Sequence, residues 1–397
     1  MSKVIYLDNN ATTAVAPEVR EAMEPFLTTL YGNPSSIHTF GGQVAHHIEE
    51  ARQRVAELLG AHPTEIIFTS CGTESDSTAI RSALAVAPSR RHIITTRVEH
   101  PAVRNLCLAL AKEGPGGGYR LTELPVDAEG MLNIADFGNA LDDDTALATV
   151  MWANNETGVL FPIEDLGALA RARGILFHTD AVQAIGKVPI NLADLPVDML
   201  SLSGHKLHAP KGIGALYVRR GTRFSPFLVG GHQERNRRGG TEAVPSIVAL
   251  GKAAELAKQR MNDEQTRVRR LRDRLEKGLM ANCPGARLNG HPTARLPNTT
   301  NISFEYVEGE AILLMLDQHG ICASSGSACT TGSLEPSHVL RAMGVPFTAA
   351  HGSVRFSLSV YSTEQEIDRV IEVLPPIIRR LREISPFGRD QLAQAKP

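Results

Sequence analysis

Over about the first 220 residues, short β-rich runs alternate with amphipathic helical patterns, and five candidate strands are each followed at once by a polar cluster. The candidate strands span 65–69, 92–97, 146–151, 175–178 and 197–202. Alternation of this kind favours a largely parallel sheet, because parallel neighbours need a crossover connection and a helix supplies it. The clusters SCGTES, VEHPAV, ANNETG, HTDAVQ and SGHKLH then fall at the carboxyl ends of the strands, where open α/β sheets bind ligands. One intervening helix is marked by Val44, Ile48, Ala51, Val55, Leu58 and Leu59 at helical spacing, with Gly60 in the C-terminal cap position. After Gly239-Gly240 the texture changes to an Arg/Lys/Glu-rich helical stretch near 246–281, which predicts a helix leading to a smaller α+β domain. That domain should hold a strand near 301–304, a helix near 310–318, a strand at 354–358 and a last helix opening on the capping box Thr363-Glu364-Gln365-Glu366. Pro375-Pro376 should kink the last helix, and the GPGGG run at 114–118 reads as a surface turn.

A chain of 397 residues can bury a large core and is expected to form two domains. Its 41 basic and 43 acidic residues leave a net charge of −2, so there is no electrostatic case for nucleic acid or an anionic membrane as partner. A small-molecule substrate is expected instead. The opening MSKVIYLDNN lacks the apolar core of a signal peptide, and no segment approaches the roughly 20 apolar residues that span a bilayer. A cytoplasmic location is expected. The five cysteines are too scattered for a disulfide framework and form no CxxC pair, so no resting metal site is expected.

Lys206 stands inside LSLSGHKLHAPKG, after an apolar run and among Ser, His and Gly. An amine used for carbonyl chemistry must be partly desolvated and held on a rigid turn, and surface lysines rarely have such neighbours. This makes Lys206 the candidate for the lysine through which an enzyme binds pyridoxal 5'-phosphate (PLP) as a Schiff base. Asp180 ends a candidate strand, where a carboxylate needs a cation or donors; a protonated pyridine nitrogen is such a partner, and a helical N-cap is the plainer alternative. Gln183 and Asn155 are candidates for the ring oxygen, and His100 for stacking on the ring and carrying protons. Gly72-Thr73, ahead of a helical run, with Ser203 and His205, would cradle a phosphate, although each alone also reads as an ordinary cap or turn residue.

Residues 322–334, CASSGSACTTGSL, follow neither a helical nor a strand period, and their small, hydroxyl-rich composition predicts a mobile loop. Cys329 on such a loop reads as a nucleophile, whereas Cys107, Cys283, Cys71 and Cys322 read as small buried hydrophobes. Arg355, in the strand pattern GSVRFSLS, suits capture of an amino acid carboxylate; a buried structural ion pair is the alternative.

Together YLDNNATT (6–13), YGNPSSIH (31–38), TSCGTESDS (69–77), VEHPAV, NNETG, HTDAVQ, SGHKLHAPKG, RRGGTE (237–242), SSGSACTTGSLEPSHV (324–339) and VRFSL resemble cysteine desulfurases of the class V aminotransferase family, over residues 4 to about 385. VMWANNETG, SCGTESDS and GGHQER look most like the nitrogenase-associated members, and SSGSAC like the long-loop group. The resemblance implies an α/β protein of the PLP-dependent transferase fold type I. Its large domain, 15–257, would carry a mostly parallel seven-stranded sheet, its small α+β domain, 258–397, the Cys329 loop, and its segment 1–14 would pack with the small domain. It also implies a homodimer that converts L-cysteine to L-alanine and holds the sulfur on Cys329 as a persulfide. An iron–sulfur scaffold protein would take that sulfur, for nitrogenase maturation or for a housekeeping pathway, and Cys329 would be at most a transient iron–sulfur ligand. By motif, Lys206 is the Schiff-base lysine and His100 assists proton transfer. Asp180, Gln183 and Asn155 hold the ring, while Gly72, Thr73, Ser203 and His205 bind phosphate. Thr241 reaches the partner subunit's cofactor, and Arg355 with Asn33 holds the substrate carboxylate. A PLP-dependent aminotransferase would need Lys206 but not Cys329; an iron–sulfur or zinc carrier using Cys322 and Cys329 lacks a nearby second Cys/His pair.

Overall fold

The computed structural model of the chain describes residues 4–112, 118–325 and 336–385. Cys329, residues 114–117 of the GPGGG run and the tail from residue 386 lie outside the described residues.

The chain enters through a two-residue strand, β1 (Ile5–Tyr6), and then builds the expected seven-stranded, mostly parallel sheet. Its strands are β2 (Ile66–Thr69), β3 (His92–Thr96), β4 (Arg120–Leu124), β5 (Thr145–Thr149), β6 (Leu176–Asp180), β7 (Met199–Ser203) and β8 (Gly214–Val218), in the spatial order β2-β8-β7-β6-β5-β3-β4. Only β8 runs against its neighbours, pairing antiparallel with β2 and β7. β2, β3, β5, β7 and β8 are buried along their whole length, as strands of a sheet covered on both faces must be. The helix Thr39–Leu59 closes on Gly60, whose φ of +61 and N–H to the Ala56 carbonyl make a left-handed cap. A Cβ at Gly60 would lie 2.1 Å from Asn191 Oδ1, so the position tolerates only glycine for two reasons.

The helical stretch expected near 246–281 is Val244–Asp263, a five-residue π-helical segment Glu264–Val268, and Arg269–Asn282. It leads to β9 (Ala286–Asn289) and β10 (Thr299–Phe304), then β11 (Ile321–Cys322) and β12 (Ser353–Ser357). β12-β10-β9 form an antiparallel sheet, and β1 pairs in parallel with β11. A second hydrophobic cluster, from Leu7 through Leu275, Phe304 and Phe356 to Ile378, fills this part of the molecule. The last helix, Glu364–Ile384, opens on the expected capping box, with Thr363 N–H donating to Glu366 and Glu366 N–H to Thr363. It continues as one element through Pro375 and Pro376, its buried Val370, Leu374, Ile377 and Ile378 binding it to the core on either side of them.

Candidate active site

The polar clusters meet in a cavity of about 370 Å³ between the carboxyl ends of β2, β5, β6 and β7 and the segment after β1. Lys206 sits in a single 3₁₀ turn, Gly204–Lys206, directly after β7. Gly204 permits that turn because a Cβ there would come within 2.8 Å of Ile213 Cγ2. Lys206 Nζ donates to the carbonyls of Asn10 and Ala11 at 2.5 and 2.7 Å. Burial pushes its amine down to about 7; Arg355 and Lys187 add repulsion, against a weaker pull from Asp8 and Asp180.

Asp180 ends β6 and is buried, with one carboxyl oxygen accepting the Val182 N–H at 2.9 Å. Burial holds its carboxyl above the usual range, offset in part by His100, the Val182 N–H and Lys206. Behind it lie two more buried carboxyl groups. Glu99 is pushed up to about 8 by burial, although Thr96 Oγ1 and the Met151 N–H donate to it. Asp76 is raised well above its usual range by burial and by Asp180. The pocket floor is thus a stack of acids short of cations.

His100 caps the helix Pro101–Lys112, and its Nδ1 accepts the Ala102 N–H at 3.1 Å. With Nδ1 an acceptor, the neutral ring carries its proton on Nε2. Burial holds the imidazole below its usual range, and Asp180 only partly restores it. His205, pushed down to about 4 by burial and by Lys206, is likewise a neutral ring that can donate one N–H.

Buried polar atoms usually find partners, and four that line this cavity do not. Ser203 Oγ, Gln183 Oε1, Asp76 Oδ1 and Arg355 Nε have no hydrogen-bond partner among the described residues. At Gly72, the start of the helix Gly72–Val86, a Cβ would lie 2.9 Å from Val182 Cγ2, so glycine lets this helix start pack against the cavity wall, where first-turn N–H groups suit an anion. The donors at Gly72, Thr73, Ser203 and His205 fit a phosphate, and the Asp180 carboxyl fits a protonated ring nitrogen. Gln183 Nε2 is turned to the Asn10 carbonyl at 2.9 Å, so the amide must rotate to donate to a ring oxygen.

Asn155 and Arg355 also line this cavity. Arg355, on β12, donates to Asp8 Oδ1 at 2.7 Å and to the Asn155 carbonyl at 3.0 Å, so the ion pair weighed as the alternative is present beside the site. Two predicted residues are elsewhere: Asn33 is exposed, its side chain accepting the Ser35 N–H, and Thr241 is exposed outside the cavity. Cys71 is half-buried rather than a core hydrophobe, because its sulfur caps the Gly72–Val86 helix by accepting the Glu74 N–H at 3.4 Å. Cys107 and Cys283 are buried and Cys322 is half-buried.

Sequence reasoning missed Asn10. Its carbonyl receives Lys206 and Gln183, its side-chain amide donates to the Asn155 carbonyl and Thr299 Oγ1, and its Oδ1 accepts from Asn298. The doubled Asn in YLDNNATT was the available signal, since two adjacent amides at the end of an apolar run require donors and acceptors once buried. Among the described residues, no group of three or more His, Cys, Asp or Glu side chains converges to hold a metal ion, and no helix is long and apolar enough to cross a membrane.

A lysine with a lowered amine pKa facing a buried aspartate and an anion cradle, at the carboxyl edge of such a sheet, defines the PLP-dependent transferase class. The aminotransferase class-V profile matches residues 5–370, and the chain belongs to that family. It is 63% identical over 388 residues to "Cysteine desulfurase 2" of Trichormus variabilis, covering 98% of this chain and 96% of that one. It is 62% identical over 384 residues to "Cysteine desulfurase NifS" of Azotobacter vinelandii, covering 96% and 94%. A solved "NIFS-LIKE PROTEIN" superposes with a TM-score of 0.89 at 38% identity, covering 96% of this chain and 100% of that one.

Proposed function

We propose that the protein is a PLP-dependent cysteine desulfurase that converts L-cysteine to L-alanine and passes the sulfur through a Cys329 persulfide. The carrying observation is the convergence of Lys206, Asp180 and the orphaned Ser203 and Gln183 atoms on one cavity.

PLP, when bound, supplies an electrophilic carbon for an amine and a ring that absorbs the electron pair left at a substrate Cα. The Lys206 amine, half neutral near pH 7, takes the Cα proton onto Nζ. The Asp180 carboxylate would hold the ring nitrogen in its protonated form, and His100 would offer its Nε2–H to the cavity. The unpartnered Arg355 Nε binds the substrate carboxylate, with Asp8 keeping the guanidinium fixed. Cys329 attacks the substrate sulfur: an S–S bond forms, the Cβ–S bond breaks, and Cβ takes a proton. Enzyme thiol plus cysteine thus become enzyme persulfide plus alanine, with atoms and electrons balanced.

Support for Cys329 comes from the described residues on either side of it. Ser324 bridges the backbone of Arg355, and Ser337 Oγ donates to buried Glu156, whose carboxyl burial pushes up to about 7. Support for a homodimer comes from two groups of exposed apolar side chains, Leu27, Tyr31 and Ile37 in one and Phe227, Leu228 and Val229 in the other. The second group lies on the segment that leads toward Thr241. By the resemblance, the division into 1–14, 15–257 and 258–397, the cytoplasmic location and an iron–sulfur scaffold as sulfur acceptor in nitrogenase maturation complete the reading.

The test is stoichiometry. Purified, PLP-loaded protein given L-cysteine and a thiol reductant should release alanine and sulfide one for one, and Cys329→Ala should lose both while keeping the cofactor absorbance. Alanine formation by Cys329→Ala at the wild-type rate would overturn the assignment, as would amino-group transfer without sulfur release.

A further inference from the structure

Glu234, Arg235 and Asn236 have φ values of +47, +58 and +64, three consecutive non-glycine residues in the left-handed region. Asparagine tolerates that conformation, but glutamate and arginine do not adopt it without support, because Cβ crowds the following carbonyl. The support is visible. The Glu234 carboxylate, 3% exposed, receives Arg52 Nη1 at 2.7 Å, Arg52 Nη2 at 3.0 Å and the Phe68 N–H at 3.0 Å. Arg52 is itself buried, donates to the Ile66 carbonyl at 3.0 Å and lies over the Phe68 ring at 4.7 Å. The strained turn is therefore clamped to the edge strand β2, which runs straight into Gly72-Thr73.

The chain leaving the turn grips the other side of the same anion cradle. Arg238 places Nε 2.9 Å from Glu74 Oε1 and Nη2 3.2 Å from Glu74 Oε2, and Glu74 Oε2 also accepts the Ser70 N–H at 2.7 Å. Gly239 N–H then bonds the Leu228 carbonyl, and Thr241 follows on the exposed surface. Glu234 thus holds β2 at Phe68, just before the phosphate-facing turn 70–74, Arg238 holds that turn at Glu74, and the same residues set the direction of the segment that carries Thr241.

We propose that the Glu234–Arg52 clamp and the Arg238–Glu74 fork form a bracket that couples subunit association to retention of a phosphate at Gly72-Thr73. Glu234 and Arg238 are positioning residues in this arrangement, acting through Thr241 and the 70–74 turn. The bracket presupposes the dimer proposed above, with Thr241 facing the partner's cofactor. Coupling follows because a phosphate that orders 70–74 and a partner that orders 237–241 both stabilise the same strained conformation, and such linkage is reciprocal.

The experiment compares the dimer dissociation constant of the full chain, by analytical ultracentrifugation, in the apo form, with PLP and with pyridoxal, which lacks the phosphate. PLP should tighten the wild-type dimer at least tenfold more than pyridoxal does. Arg238→Gln should shrink that difference to within twofold, Arg238→Lys should restore part of it, and Glu234→Gln should act like Arg238→Gln. Arg238 is partly exposed, so its variants keep the fold even where Glu234→Gln does not, and Arg238→Gln should still unfold in the apo form with the cooperative transition of the wild type. A wild-type difference that survives in Arg238→Gln overturns the coupling while leaving the dimer intact. A wild type that is monomeric throughout overturns the dimer reading, and the coupling with it.

Discussion

Asp180 is a group whose removal should help the empty protein and harm the loaded one. It is buried, its described partner is the Val182 N–H, and Asp76 and Glu99 lie close enough to repel it. Its carboxyl is raised in the folded state, so as pH rises above the ordinary carboxylate range the unfolded chain sheds its proton first. Apoprotein stability therefore falls with rising pH through that window, and at pH 7.5 the site carries an unfavourable charge or an unfavourable proton. Asp180→Asn keeps the bond from Val182 and removes the charge. A buried polar group short of partners costs about 1–3 kcal/mol. With an unfolding entropy of roughly 2.1 cal/mol/K per residue over 397 residues, that range corresponds to a rise of about 1–4 °C in the apo midpoint. Loaded protein should show the reverse order, because a pyridinium nitrogen supplies the missing cation to Asp180 and not to asparagine. Losing a charge-assisted hydrogen bond worth about 1.5–3 kcal/mol should also lower kcat roughly 10- to 150-fold. Scanning calorimetry of apo and PLP-loaded forms reads both shifts. A lowered apo midpoint in Asp180→Asn, or an equal PLP-induced rise in both proteins, would refute the reasoning.

The two basic side chains of the site are testable in the same way. Burial favours the neutral form of Lys206, so covalent capture of PLP by apoprotein, followed by visible absorbance, should accelerate as pH rises through about 7 and level off above it, and Lys206→Ala should show no capture at any pH. A rate still climbing tenfold per unit at about pH 9 would mean an ordinary lysine. Arg355→Lys, which loses Nε and the fork, should raise KM for L-cysteine about 10- to 100-fold with the cofactor spectrum unchanged, and a KM within twofold of wild type would remove Arg355 from the substrate site.

The parallel strands were legible because burial on both faces writes continuous apolar runs, and each such run ended in its polar cluster. β4 and β8 were not. β4 lies at the sheet edge and reads RLTEL, with no apolar run, and β8 follows β7 so closely that the SGHKLHAPKG turn masks the reversal between them. Lys206, Asp180 and Ser203 stood out because each lies where an apolar run ends in a polar cluster, and Arg355 because it interrupts an apolar strand; all four line the cavity. Cys71 was misjudged because capping is decided by one sulfur's direction, which composition does not encode.

Asn10 and Asp8 show a different kind of blindness. Their importance is set by residues far along the chain: Asn10 meets Lys206, Gln183 and Asn298, and Asp8 meets Arg355. β1 pairs with β11, and the segment after it is held by β12, where Asp8 bridges Ser357 and the Asn9 N–H donates to the Ser357 carbonyl. The Lys206 amine is therefore tuned by two parts of the molecule at once. Burial beside β7 lowers it, the Asn10 and Ala11 carbonyls orient it, and Arg355 from β12 repels it. A shift of β12 away from β7 would raise the amine's affinity for its proton, so the reactivity of the lysine depends on how closely the smaller sheet stays docked.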